Sequence, residues 1–102
     1  MKSRFHEAAE AEVAEAVDYY DGKASGLGDR FLAEVKAATG YIERHPEIAP
    51  IIDLGVRAKV LVRFPYSVMY VVESDTLFIV AVAHQSKRPA YWADRIPHKP
   101  AG

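Results

Sequence analysis

The apolar residues of this chain change their period once, and that change limits the fold more than any other feature. Up to about residue 46 they recur every three or four positions. Around "HEAAEAEVAEAVDYYDGK" they fall at Phe5, Ala9, Val13, Ala16, Val17 and Tyr20, one face of an α-helix. Glu7, Glu10, Glu15 and Asp18 take the other side, and the acidic first turn suits the positive end of the helix dipole. Gly22 sits where a glycine would end this helix. In "SGLGDRFLAEVKAATGYIERHP" the repeat is Leu27, Phe31, Val35, Ala38 and Ile42, a second helix stopped by Pro46. The short glycine-containing turn between them predicts a helical hairpin. Gly40, inside the second helix, is expected to mark a close approach to a neighbour.

Beyond the loop "PEIAPIIDLG" the period becomes two. "VRAKVLVR" alternates Val56, Ala58, Val60 and Val62 with Arg57, Lys59, Leu61 and Arg63. "YSVMYVV" and "LFIVAVAH" are two more strands, separated by the turn-forming "ESDT". The last is apolar on both faces, which predicts an interior strand. "KSRF" at the start reads as a short additional strand, and Pro89 opens a short final helix, "PAYWADRI". The expectation is an α+β fold of order β-α-α-β-β-β-α. The hairpin covers one face of an antiparallel sheet of about four strands, and Arg57, Lys59 and Arg63 stand on the opposite face.

At 102 residues the chain is expected to form one domain over residues 1–96, with a frayed tail at 97–102. It has no cysteine, which excludes disulfides, a cysteine nucleophile and thiolate metal sites, and fits a reducing compartment. The N-terminus has no apolar core of a signal peptide, and no apolar run approaches membrane-spanning length, so a cytoplasmic protein is expected. His6, His45, His84 and His98 are scattered without metal-ligand spacing. Ser67, Ser74 and Ser86 lack the context of a nucleophilic serine, and there is no glycine-rich phosphate loop. Neither cofactor, metal nor small-molecule substrate is expected.

Charge is distributed unevenly. Residues 1–56 hold six Lys/Arg and eleven Asp/Glu, whereas residues 57–102 hold seven and three. A separation of this kind makes one face basic and suited to an anionic partner. Two groups stand out. Arg57, Lys59 and Arg63 form a row at spacing two, suited to phosphate or an acidic partner, or to plain solvent. His84, Lys87, Arg88, Tyr91, Trp92 and Arg95 crowd the end of the last strand. They are either a target-facing edge or a clasp in which the two aromatics pin the terminal helix to the sheet.

Four stretches, "AEAVDYYDGKASGLGDRF", "IERHPEIAP", "RFPYSVMYVV" and "AVAHQSKRPAYWADR", taken in this order and spacing, resemble the RelE/ParE superfamily of type II toxin–antitoxin toxins. The resemblance implies a RelE-like fold and a growth-inhibiting toxin neutralised by a cognate antitoxin that wraps it. RelE-like members cut messenger RNA on the ribosome without a metal; ParE-like members poison DNA gyrase. For RNA cleavage the resemblance implies Tyr91 as proton-transfer group, with Arg63, Arg88 and the cations Arg57, Lys59 and Lys87 holding phosphate. Ser67 stands where an arginine is expected, which breaks that set. That gap and a pI near 6.4 favour the gyrase mode. An mRNA endoribonuclease, and a degenerate non-toxic member that only binds its antitoxin, are the alternatives.

Overall fold

A computed structural model describes residues 1–97. Strand β1 spans Lys2–Phe5, helices α1 and α2 span Glu7–Lys23 and Leu27–Arg44, and four strands follow: β2 Ile51–Asp53, β3 Val56–Val60, β4 Tyr66–Glu73 and β5 Thr76–His84. A single turn of 3-10 helix, Ala93–Arg95, comes last. The sheet order is β1-β5-β4-β3-β2. The α+β class and the hairpin on one sheet face are as expected, and α1 packs along β5 and against α2.

Four details differ from the sequence reading. The sheet has five strands and is mixed, because β1 pairs parallel to β5, from Lys2 opposite Thr76 to Phe5 opposite Ile79. The helices carry the chain away after β1, and β2, β3 and β4 lead it back to β5, which lies alongside. β2 is the added strand. It has only three residues, all exposed, so no burial alternation betrayed it. The final helix shrinks to one 3-10 turn because Ala90 takes a left-handed conformation, φ 58°, in the second position after the arginine. That bend turns Tyr91 and Trp92 onto the protein. The fourth detail is Gly22, which lies inside α1; the chain turns at Gly26, φ 82°.

The close approach belongs to Gly28, not Gly40. A Cβ on Gly28 would stand 2.5 Å from the Val17 carbonyl oxygen and 2.7 Å from the Asp21 carboxylate, whereas at Gly40 the nearest atom is 3.5 Å away. The Gly28 N–H donates to Asp21 Oδ1 at 2.8 Å, so the same contact caps the start of α2. The His6 ring nitrogen does the corresponding work at α1, accepting from the Ala8 N–H at 3.0 Å.

Two apolar clusters lie on the two sides of the sheet. Under the helices, Ala9, Ala16, Phe31, Val35 and Ile42 meet Val68, Tyr70, Leu77, Ile79 and Val82. On the other side, Val56, Val71, Phe78, Val80, Ala81 and Ala83 are covered by Trp92, with Tyr91 and Ile96 beside it. β5 serves both because its alternation breaks once. The pairing slips between Met69 opposite Ala81 and Tyr70 opposite Ile79, which leaves Val80 as the extra residue of a bulge. Val80 and Ala81 thus turn successive side chains to the Trp92 side.

Candidate functional site

The end of β5 and the segment after it gather most of the chemistry-bearing side chains. β1 pairs with β5 only as far as Ile79, so the outer edge of β5 is unpaired from the bulge onward. Backbone groups left there at partial burial need other partners. Glu12, from α1, supplies one: its Oε1 accepts the Val82 N–H at 3.0 Å. Arg95 supplies another, its Nη1 donating to the Val80 carbonyl at 3.2 Å. The two meet each other at 3.0 Å, with each side chain 17% exposed. Tyr91 completes the group by donating its hydroxyl to Glu12 Oε2 at 2.5 Å. Both carboxylate oxygens of Glu12 are therefore engaged, by three donors from β5 and the terminal segment.

This arrangement fixes what Tyr91 can do. Burial pushes its hydroxyl well above the ordinary value, the Glu12 hydrogen bond and charge push it further, and Arg95 only partly offsets them. A phenol held in this way stays protonated and already donates to a carboxylate. Two cations lie over its ring, Arg95 at 5.0 Å and Lys87 at 5.6 Å from the centroid.

The other candidates fall in separate places. Trp92 is 1% exposed and belongs to the core of the second cluster. His84 ends β5, its Nδ1 accepting the Ser86 N–H at 3.0 Å and its ring edge-on to Tyr66. Lys87 and Arg88 are exposed and border a hollow of about 220 Å³ that also takes in Ser67, Met69, Ala83 and Trp92. Arg57 and Lys59 lie across the sheet from that hollow, which corrects their expected face. They stand opposite Tyr70 and Val68, both in the helix-side cluster. Arg57 Nη1 donates to the Glu47 and Ala49 carbonyls at 3.1 and 2.7 Å, tying down the loop before β2. Lys59 lies 5.5 Å from the Tyr41 ring of α2. Arg63 is past the end of β3 and exposed, its backbone N–H held by Glu34 at 2.9 Å.

Lys87, Arg88, Tyr91, Trp92 and Arg95 are thus brought together, with His84 adjoining. Arg57, Lys59 and Arg63 are not brought to them. Glu12 escaped the sequence reading, which set Glu7, Glu10, Glu15 and Asp18 on the polar side of α1 and did not single it out. Its signal was phase: it lies three residues after Ala9 and four before Ala16, the two fully buried positions of that helix. Among the described residues no three His, Asp or Glu side chains gather where a metal ion would be held, and no helix is long and apolar enough to cross a membrane.

Comparison with known proteins agrees with this architecture. Residues 4–89 match the family described as the ParE toxin of the type II toxin–antitoxin system parDE. The fold is similar to a solved structure of the chromosomal ParDE toxin–antitoxin system from P. aeruginosa, with a TM-score of 0.63 and 19% sequence identity over 82% of this chain and 95% of that one. No curated protein matches.

Proposed function

The chain belongs to the ParE toxin family of type II toxin–antitoxin systems, and from that premise we propose that it arrests growth by binding DNA gyrase, with the basic segment after β5 as the contact surface. A cognate antitoxin neutralises it by folding along the toxin's surface. The observation that carries the gyrase reading over RNA cleavage is the division of the cations. Phosphodiester cleavage needs a proton-transfer group and several cations around one phosphate. Here Arg57 and Lys59 face the helices, Lys87 and Arg88 border the hollow on the opposite face, and Ser67 puts a small hydroxyl residue rather than a cation on that same border. Tyr91, the group implied for proton transfer, keeps its proton and already donates it in a hydrogen bond to Glu12. What remains is an exposed basic edge on a rigid support, suited to binding rather than chemistry.

Pulse labelling after induced expression tests this. Thymidine incorporation is expected to fall before methionine incorporation, and purified toxin is expected to inhibit gyrase supercoiling. Lys87→Ala with Arg88→Ala should weaken that inhibition. Methionine incorporation falling first, with cleaved messenger RNA, would replace the proposal with an endoribonuclease.

A further inference from the structure

We infer that Glu12 is a latch that positions the target-facing segment: its carboxylate fixes Tyr91 and Arg95, and through the Tyr91 ring it sets the pose of Lys87. This rests on the reading that the segment after β5 meets the target. Residues 85–92 contain no regular secondary structure to hold them. Their anchorage comes from Trp92, buried in the second cluster, and from the contacts of Tyr91 and Arg95 with Glu12. Trp92 anchors the segment on β5 and its neighbours, and the Glu12 contacts of Tyr91 and Arg95 add a second anchor on α1. Lys87 Nζ then lies over the Tyr91 ring, 5.6 Å from its centroid.

The geometry makes Glu12 the shared point. Without its carboxylate, the Val82 N–H, the Tyr91 hydroxyl and the Arg95 guanidinium lose their acceptor together. The Arg95 guanidinium would keep only the Val80 carbonyl. Each of the three then gains by turning toward water, and for Tyr91 and Arg95 that means moving the segment.

Glu12→Ala in the full-length toxin tests the latch. Alanine favours a helix, so α1 itself should be kept. Trp92 is the only tryptophan, which makes acrylamide quenching a direct readout of whether the segment is seated. The expected result is quenching that rises several-fold in the native state, and about tenfold or more protein needed for the same growth arrest at matched soluble levels, the scale expected when charge-assisted hydrogen bonds are lost. A carboxylate that only stabilised the fold would lower the denaturation midpoint and leave native-state quenching as it is. Glu12→Gln keeps the side-chain shape and one acceptor oxygen, so it should give an intermediate effect, and it decides the question if the alanine variant does not fold. Unchanged quenching, or raised quenching with undiminished growth arrest, overturns the latch. The double variant Lys87→Ala/Arg88→Ala separates the two readings. If it weakens growth arrest while Glu12→Ala does not, the latch alone fails. If it has no effect, the surface assignment fails.

Discussion

Gly28→Ala and Gly40→Ala should change stability in opposite directions. Helix propensity alone favours alanine at both, by up to about 1 kcal/mol in a helix interior and less in the first turn, where Gly28 sits. At Gly40 nothing opposes that gain, since the nearest atom to the new methyl is the flexible tip of Arg44 at 3.5 Å. Gly40→Ala should therefore stabilise by about 0.5–1 kcal/mol. At Gly28 the methyl would stand 2.5 Å from the backbone oxygen of Val17, and backbone cannot turn aside. Asp21 would also have to leave, giving up its bond to the Gly28 N–H. To relieve the contact α2 must lift from α1 by several tenths of an ångström or more. That disturbs Phe31, which is fully buried with its ring 5.2 Å from Phe64 and 4.9 Å from Tyr66. Overpacking of this kind costs about 1–3 kcal/mol, and loss of the capping bond adds about 1. The net expectation is a loss of about 2 kcal/mol, or roughly 8–16 °C in melting temperature for a domain of this size. Urea denaturation of the two variants beside the parent is the assay. If Gly28→Ala proved neutral or stabilising, the helices would not be in the contact described.

Three further outcomes are expected. Leu54 and Gly55 both have positive φ in the two-residue turn that joins Asp53 to its partner Val56. Leu54→Asn should stabilise by about 0.5–1 kcal/mol, because asparagine tolerates that conformation, and an unchanged urea midpoint would refute the strain. Tyr91 has a folded-state pKa raised above its unfolded value of about 10, so its contribution is intact below that pH and is lost as pH climbs from there toward the folded value. Stability of the parent should thus fall as pH climbs above about 10, and the fall should be shallower in Tyr91→Phe. Identical slopes would mean the hydroxyl is not held as described. Trp92→Ala should cost about 3–5 kcal/mol, measured by the same denaturation, and a cost under 1 would remove Trp92 from the core.

Apart from β2, the element order was readable because the apolar period is helical before residue 46 and strand-like after residue 55. What escaped was relational. Alternation along β3 separates Arg57 and Lys59 from Ala58 and Val60 but does not say which set meets the helices. The carbonyls of Glu47 and Ala49 claim Arg57 for the helix side, and those lie in a loop whose path no periodicity describes. Glu12 was hidden by its surroundings: one more acid in an acidic helix looks solvated until its partners, about seventy and eighty residues away in sequence, are known. Of the two readings of the terminal aromatics, the clasp is visible: Trp92 pins the segment to the sheet, and Lys87 and Arg88 are exposed.

The parallel pairing of β1 with β5 has a consequence in time. Lys2 leaves the ribosome 74 residues ahead of its partner Thr76. At ordinary synthesis rates that is a wait of roughly 4–15 s. During it, α1 and α2 can meet each other but have no β5 to rest on, and Glu12 has neither Val82, Tyr91 nor Arg95 within the chain made so far. A nascent or truncated chain is thus an unfinished sheet with an exposed apolar hairpin. Glu12 finds all three of its partners only once Arg95 has been made.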